Sequence, residues 1–355
     1  MIVNDPALNI DWLDYGVLIP FPPRRPSAIL NFLGEKTASF PGPVIEMPLN
    51  KVFASYDDIR RVHEESYCNS LLNGGASLEI ALQTIYELID EEGRPCRYDK
   101  LLAKKTLVKM FSEMVLPRLY GTCFAANTAL EDKKGFCYYL SGGNHHARYS
   151  EGAGFCVLND MMIAARKLQA QGRVHRIWII DVDAHKACGT AELNFFIKNG
   201  SPCGFEEGAY IYTLCVHMAQ GWPLDAKTLS SAKPGRAPLI NCDVDIPVAE
   251  GEEPLYAKKL TAGLKLLEEK TKTETGAEAE FAFVVDGSDP YEHDELESSA
   301  LLKLTLSQCV ERDMIIYDFL RTRNIPCVWV LSGGYGKRAW EPPAHFLAEL
   351  CRHRG

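Results

Sequence analysis

The segment at residues 175–183, HRIWIIDVD, limits more than any other feature how this chain can fold. Its side chains are apolar at both alternating sets of positions, which is typical of a strand buried on both faces of a parallel sheet. Parallel strands need long crossover connections, and these are usually helices. The segment therefore predicts an α/β fold.

Short β-rich runs alternate with helical patterns from about residue 50 onward. This alternation predicts one domain over residues 1–355, with a central parallel sheet and helices on both of its faces. The first 50 residues or so are rich in Pro and predicted to be irregular, with IPFPPRRPSA as the clearest loop. A helix is predicted at 77–93, with Ser77 as its N-cap and Gly93 past its end. Further strands are predicted at 209–216, 281–286 and 327–332, and further helices at 99–116, 157–171, 253–269, 300–323 and 343–352.

Charge and cysteine content exclude several classes of protein. The net charge of −9 argues against nucleic-acid binding, which depends on clustered Lys and Arg. No stretch approaches the roughly 20 apolar residues of a membrane span, and the N-terminus lacks the basic region of a signal peptide. The twelve Cys form no C-x-x-C pair, which indicates free thiols in a reducing compartment. These features predict a soluble, cytoplasmic protein, and no pattern indicates its oligomeric state.

The end of the first predicted strand carries the most specific polar pattern. Asp181, Asp183 and His185 are spaced two residues apart, so an extended backbone points all three side chains the same way. Ligands of open α/β sheets bind beyond the carboxyl ends of the strands. Carboxylates and an imidazole projecting together there could begin a zinc site. The alternative is a capped strand end whose Asp side chains bond turn amides.

Two other polar segments are ambiguous when taken alone. His145 and His146 follow a Gly-Gly turn and could transfer protons, because His titrates near neutral pH; they could equally be surface residues. Asp286, Asp289 and Asp294 follow the strand at 281–286 and could supply a second carboxylate ligand, although acidic turns are common on any surface.

A fourth segment, VWVLSGGYG, runs from an apolar strand into a Gly-Gly turn followed by Tyr335. The Tyr335 hydroxyl could donate a hydrogen bond to a developing oxyanion. The alternative is that its ring packs over the turn.

Taken in order, these segments resemble the histone deacetylase and acetylpolyamine amidohydrolase family. SGGNHHA followed by GFC, then DVDAH, GSDPYEHDEL and LSGGYG, are similar to the family's site motifs. VHEESYCNSL, GTCFAANTAL and CDVDIPVAEGEEPLY also resemble family segments, so the likeness covers nearly the whole chain from about residue 48. The resemblance implies an arginase/deacetylase-like fold and a zinc-dependent deacetylase or amidohydrolase, which hydrolyses a linear amide C–N bond.

The resemblance implies that Asp183, His185 and Asp289 bind zinc. Asp289 rather than Asp286 matches the family motif, because it follows Gly-Ser and lies five residues before Asp294. Three protein ligands leave a coordination position open for water and the substrate carbonyl, which is typical of catalytic zinc.

The remaining roles also follow from the resemblance. His146 would be the general base, His145 its electrostatic partner, and either could protonate the leaving amine. Tyr335 would bond the oxyanion, and Asp181 matches the carboxylate that orients the first His.

The resemblance further implies a narrow tunnel for an acyl-lysine-like group, formed in part by Gly154 and Phe155. The substrate would be an acylated lysine in a peptide or protein, an acetylated polyamine or another small acylated amine, and the sequence leaves this choice and the acyl length open.

A potassium site of the family matches the backbone around Asp181, Asp183 and His185, together with Cys215 and Val216. Cys215 replaces the usual Ser, which weakens the case for potassium at this position.

The residues after His185 depart from the family pattern. Cys188 stands where an Asp or Asn would bond the general-base His, and a thiol is a weak hydrogen-bonding group. Lys186 adds a positive charge close to the metal strand and could favour an anionic substrate.

Two other functions compete with an active hydrolase of this family. A two-metal ureohydrolase of the arginase type would need an Asp at position 187, which is Ala187 here. A metal-binding pseudoenzyme that recognises acylated partners would be compatible with the substitutions at 186–188.

Overall fold

The computed structural model describes residues 1–36, 43–48, 51–90, 92–200, 209–231 and 239–352. Within these residues the chain forms eight strands and twelve α-helices. The strands are β1 (Ile2–Asn4), β2 (Val44–Glu46), β3 (Phe136–Tyr139), β4 (Arg176–Asp181), β5 (Tyr210–Met218), β6 (Val244–Val248), β7 (Phe281–Asp286) and β8 (Cys327–Leu331). The helices are α1 (Arg25–Lys36), α2 (Tyr56–Arg60), α3 (Glu65–Leu72), α4 (Gly75–Ile85), α5 (Leu107–Met110), α6 (Leu116–Glu131), α7 (Asp160–Ala170), α8 (Cys188–Lys198), α9 (Ala226–Ser231), α10 (Tyr256–Thr275), α11 (Leu306–Thr322) and α12 (Glu341–Arg352).

All eight strands belong to one sheet, in the order β2-β1-β3-β8-β7-β4-β5-β6. Every pairing between neighbouring strands is parallel. The predicted α/β fold with a central parallel sheet is therefore confirmed.

Alternate residues of the sheet face two separate cores. On β4, Ile177 and Ile179 pack in a core that includes residues of α6 and α7, whereas Trp178 and Ile180 pack in one that includes residues of α10 and α11. Both sets are buried, because helices cover the two faces of the sheet. This explains why the segment at 175–183 has no polar face.

The N-terminal 50 residues are not irregular throughout, contrary to the prediction. The strand β1 lies between β2 and β3, and α1 begins at Arg25, inside the segment IPFPPRRPSA that was predicted to be a loop. Pro26 lies in the first turn of α1, where the missing N–H costs no hydrogen bond within the helix.

Several predicted helices have wrong bounds, including the helix predicted at 253–269, which is Tyr256–Thr275, and the one predicted at 300–323, which begins at Leu306. The helix predicted at 77–93 begins after Gly74 and ends at Ile85; Ser77 lies inside it and is not its N-cap. The helix predicted at 99–116 begins only after Thr106, whose side chain accepts a hydrogen bond from the Lys109 N–H. It continues through a π-helical turn at Phe111–Val115 into α6.

Three further observations bear on the predictions made from the sequence. The cysteines of the described residues are all free thiols, as predicted. Among the described residues, no helix has the length and apolar character needed to cross a bilayer. The strands β1, β2, β3 and β6 and the helices α1, α2, α3, α6, α8 and α9 are additional to those predicted.

Candidate active site

The loops that carry the four sequence motifs leave adjacent strands of the sheet. The strands β3, β8, β7 and β4 are neighbours in that order. Because all are parallel, their carboxyl ends lie at one edge. The sheet thereby brings together residues that are far apart in the sequence.

Asp183, His185 and Asp289 form a buried group that could hold a metal ion. One ligand atom from each residue lies within 4.8 Å of the others. The His185 Nδ1 atom is 2.9 Å from Asp289 Oδ2 and 3.4 Å from Asp183 Oδ1. The backbone N–H of His185 donates to Asp183 Oδ1 at 3.1 Å, and the N–H of Ala184 donates to Asp289 Oδ1 at 3.0 Å. The three residues predicted as ligands are thus adjacent.

Two glycines leave room for this group. A Cβ atom at Gly287 would lie 2.5 Å from Asp183 Oδ2, and one at Gly333 would lie 2.8 Å from Asp289 Oδ2. Any larger residue at either position would displace a carboxylate of the group, so both motifs need glycine here for space.

Asp286 lies outside this group and is fully engaged elsewhere. It accepts hydrogen bonds from the Tyr138 hydroxyl and from the Arg312 guanidinium, both at 2.6 Å. The carboxylate at the last residue of β7 therefore supports the sheet end rather than the candidate metal centre.

The Asp289 carboxyl of this group has a raised pKa. Burial, and then the neighbouring Asp183 carboxylate, raise the pKa of Asp289 to about 6. A divalent cation would relieve this repulsion between buried carboxylates.

The two adjacent His residues differ in their partners. His145 Nδ1 lies 2.7 Å from Asp181 Oδ2, whereas His146 Nδ1 lies 3.4 Å from the Cys188 sulfur. The two ring centroids are 3.9 Å apart. Burial opposes protonation of both, but the Asp181 and Asp183 carboxylates raise the pKa of His145 to about 9. Burial, and then a charge on His145, hold the pKa of His146 well below its usual value.

Tyr335 is buried beside this pair and close to the metal group. Its backbone N–H donates to Asp294 Oδ2 at 2.7 Å, and its ring packs near Phe155 at 6.0 Å between centroids. Burial, and then the Asp289 and Asp183 carboxylates, raise the pKa of its hydroxyl well above 10, so the hydroxyl remains a hydrogen-bond donor.

A cavity of about 200 Å³ leads to these groups. Phe155 and Trp222 contribute aromatic walls, and the Trp222 ring centroid is 4.6 Å from that of His146. Two partly exposed residues, Glu87 and Arg97, form an ion pair of 2.6 Å along the lining. The full lining is Glu87, Arg97, His146, Gly154, Phe155, His185, Trp222, Leu296, Ser298 and Tyr335.

Arg25 braces the turns that carry Asp289 and Tyr335. Its guanidinium donates to the carbonyl of Ser332 at 2.8 Å and to the Ser288 hydroxyl at 2.6 Å. It also lines a second cavity, of about 110 Å³, that His145 and Tyr335 share. In the sequence Arg25 belongs to the predicted loop IPFPPRRPSA, and no local pattern indicates its distant partners.

The position of Lys186 does not support the hypothesis that its charge favours an anionic substrate. Lys186 is buried, bonds the side-chain carbonyl of Asn241 and lies 3.5 Å from Asp245. It lines neither of the two cavities. Its charge is therefore paired with Asp245, away from both cavities.

The predicted potassium site contains a thiol that already has a partner. Cys215 is buried on β5, and its sulfur accepts a hydrogen bond from the Ala187 N–H at 3.3 Å. Hard monovalent cations prefer oxygen ligands, so this position fits potassium poorly.

A parallel α/β sheet with a buried Asp–His–Asp group at its carboxyl edge defines a protein with a candidate metal centre of the hydrolytic type. The chain belongs to the histone deacetylase family, because the family model described as "Histone deacetylase domain" matches residues 19–348. Membership of this family supports hydrolysis of an acyl–amine amide bond.

Several characterised or named proteins are similar to this chain. Histone deacetylase 2 of Arabidopsis thaliana is 24% identical over 351 residues, which cover 99% of this chain and 78% of that protein. Histone deacetylase 14, chloroplastic, of the same plant is 26% identical over 64% of this chain and 50% of its own length. The acetoin utilization protein AcuC of Staphylococcus aureus is 43% identical, but over only 17% of this chain and 15% of its own length.

Proposed function

We propose that this protein is a zinc-dependent deacylase that hydrolyses an acyl–amine amide bond. The observation that carries the proposal is that Asp183, His185 and Asp289 form one group, whose His185 lines a cavity together with His146 and Tyr335. These residues come from four motifs at the ends of the strands β4, β7, β3 and β8, and their convergence matches the chemistry that amide hydrolysis requires.

The donor set fits zinc. One imidazole nitrogen and two carboxylates are common zinc ligands, and three protein ligands characterise catalytic sites. When bound, zinc supplies the Lewis acidity that polarises the scissile carbonyl and makes water a stronger acid. A second metal would lack a ligand at Ala187, which disfavours arginase-type chemistry.

The protein's own side chains handle the protons. His146 accepts a proton from the attacking water while the water oxygen bonds the carbonyl carbon. His145, held by Asp181, provides a charged neighbour. When the C–N bond breaks, the His pair returns a proton to the leaving nitrogen, and the products are a carboxylic acid and an amine.

The Tyr335 hydroxyl donates to the carbonyl oxygen as negative charge develops on it. Phe155 and Trp222 line the cavity that leads to this point, and Gly154 beside them keeps it free of a further side chain. Such a cavity admits a slender acyl chain and excludes bulk water, which strengthens the hydrogen bond to the oxyanion.

The proposed substrates are an acylated lysine in a peptide or protein, or a small acylated amine such as an acetylated polyamine. Neither nucleic acid nor a membrane is a proposed partner. A site for potassium is not part of the proposal, because Cys215 fits it poorly. The cytoplasmic location stays a prediction.

A second candidate function rests on Cys188. A thiol 3.4 Å from His146 orients the base weakly, which favours a pseudoenzyme that binds metal and acylated partners without turnover. Zinc-loaded protein that binds acyl-lysine peptides but does not hydrolyse them would support this candidate.

The test combines metal content with turnover. The wild-type protein should bind one zinc per chain and hydrolyse acyl-lysine peptides or acetylated polyamines. Asp289→Asn should lose the zinc, because the buried group would keep only two good ligands. Asp318→Asn, a change at an exposed position on α11, serves as the control. Stoichiometric zinc in Asp289→Asn, or no turnover by the zinc-loaded wild type, would contradict the proposal.

A further inference from the structure

Ser298 lies against the far side of the candidate metal ligand His185. Its hydroxyl oxygen is 3.1 Å from His185 Nε2. Ser298 belongs to the short 3₁₀ turn Glu297–Ser299 and lines the cavity that leads to the metal group. No sequence motif indicated this residue, because serines in polar turns are common.

The geometry defines which ring nitrogen of His185 carries the proton. The Nδ1 atom faces the carboxylates of Asp289 and Asp183 at 2.9 and 3.4 Å. A metal ion shared with these carboxylates needs the lone pair of Nδ1, so the proton of the neutral ring belongs on Nε2. The Nε2–H group then donates to the Ser298 hydroxyl.

The turn that carries Ser298 is anchored to the rest of the site. Asp294 Oδ1 accepts hydrogen bonds from the Leu296 N–H at 2.9 Å and the Ser299 hydroxyl at 2.7 Å. The other oxygen of the same carboxyl accepts the Tyr335 N–H at 2.7 Å. The Asp294 carboxyl thus bonds both the turn next to His185 and the backbone of Tyr335. These bonds fix the position of Ser298 relative to His185.

We propose that Ser298 is a positioning residue for the metal ligand His185. Its hydroxyl fixes the imidazole in the orientation and tautomer that present Nδ1 to the metal. A hydroxyl also adds no charge, so the ligand set keeps only the two carboxylate charges, which a divalent ion neutralises. This inference rests on the proposed function, since it assumes that a metal binds here.

Zinc affinity tests the inference without any assay of turnover. Apoprotein would be titrated with zinc in competition with a chelator of known affinity. Ser298→Ala should weaken zinc binding by about 10-fold or more, which is the usual effect of removing a partner of a metal-binding His. Ser307→Ala, at an exposed position of α11, is the matched control and should bind zinc as the wild type does.

A second pair of variants separates the hydroxyl from the packing of the side chain. Thr and Val have nearly the same shape, but only Thr retains a hydroxyl. Ser298→Thr should keep most of the zinc affinity, whereas Ser298→Val should lose it as Ser298→Ala does. The visible spectrum of cobalt-substituted protein, which reports the coordination geometry, should change in Ser298→Val and not in Ser298→Thr.

The outcomes distinguish this inference from the proposed function. Suppose that Ser298→Ala and Ser298→Val bind zinc as tightly as the wild type, with an unchanged cobalt spectrum. Ser298 would then not position His185, whereas the proposed metal site would remain supported. A wild-type protein that binds no zinc would overturn both.

Discussion

The adjacent residues His145 and His146 show how one residue's partner sets its chemistry. A carboxylate at 2.7 Å stabilises the charged form of His145, whereas a thiol at 3.4 Å does little for His146. Hydrogen bonds to a charged acceptor are about twice as strong as those between neutral groups. The weaker partner is on the residue proposed as general base, so the contact with Cys188 should limit the rate.

Replacing Cys188 with Asp should therefore raise kcat/KM. We expect Cys188→Asp to increase the rate about 10-fold, because a carboxylate would orient His146 and stabilise its protonated form. Cys188→Ala, which only removes the weak partner, should change little. Steady-state kinetics on folded, zinc-loaded variants provide the measurement, and an equal or lower rate in Cys188→Asp would contradict the prediction.

Tyr335 should act almost entirely on kcat. Loss of its hydroxyl in Tyr335→Phe should lower kcat by about 10² to 10³, because the donor stabilises charge that exists only in the transition state. The ring and the backbone bond to Asp294 remain, so the melting temperature and the zinc content should not change. Near-native kcat in this variant would show that the oxyanion has another donor.

At the scale of elements, the loop between β3 and α7 depends on a buried His in another part of the chain. Asn159, the N-cap of α7, donates its N–H to His63 Nε2 at 3.0 Å. His63 Nδ1 lies 2.7 Å from the carbonyl oxygen of Arg148, to which it donates. The neutral ring thus joins Arg148 and Asn159, which flank the part of the loop that carries Phe155, and burial lowers the pKa of His63 to about 4.

This arrangement predicts a pH dependence of stability. Because the folded pKa lies below the unfolded value of about 6.5, the contribution of His63 is complete above pH 6.5 and is lost as the pH falls toward 4. The free energy of unfolding should fall by about 2 kcal/mol between pH 7 and pH 5 through this residue.

The variant His63→Gln provides the comparison, because its amide retains one donor and one acceptor but does not titrate. Urea denaturation at several pH values should give a shallower loss of stability in His63→Gln than in the wild type. Parallel pH profiles for the two proteins would show that His63 does not titrate as described.

At the scale of the whole molecule, a buried Arg joins the strand ends behind the candidate metal centre. Arg312 on α11 donates to Asp286 at 2.6 Å and to Asp313 at 2.7 Å. It also donates to the carbonyls of Val182 and Gly287, at 3.0 and 2.7 Å. These carbonyls directly follow β4 and β7, so Arg312 ties a helix to the two strands that supply the metal ligands.

Removal of this side chain should be costly. We expect Arg312→Met to lower the free energy of unfolding by about 3–5 kcal/mol, because two buried carboxylates lose their cationic partner. Arg321→Met, on the exposed side of the same helix, should cost less than about 1 kcal/mol. Equilibrium denaturation of both variants provides the measurement. Equal losses of the free energy of unfolding would show that the buried network stabilises the fold no more than an exposed Arg does.

Much of this architecture could be predicted from local sequence. The strand at 175–183 was predicted correctly because burial on both faces leaves a continuous apolar run, and Asp183, His185 and Asp289 were identified because their motifs are short and contiguous. The helix bounds at 77–93 and 99–116 were wrong. The first helix ends at Ile85 although helical spacing continues, whereas the second begins only at Leu107, after its Thr106 cap, and continues into α6.

Lys186 and Ser298 show where local sequence stops being informative. The sequence places a charge beside His185, but only the fold shows that Asp245 lies close enough to pair with it. Likewise, Ser298 follows His185 by more than a hundred residues and contacts it only through the folded turn.

The amino-acid sequence by itself determined the α/β class, the order of the motifs and the chemical types of the site residues, because these depend on periodicity and on side-chain identity. The tertiary structure alone decided that Asp183 and Asp289 share one imidazole, that His146 has a thiol as its partner and that Lys186 is paired with Asp245. Each of these depends on distances between distant segments, and electrostatic and hydrogen-bonding energies change steeply with such distances.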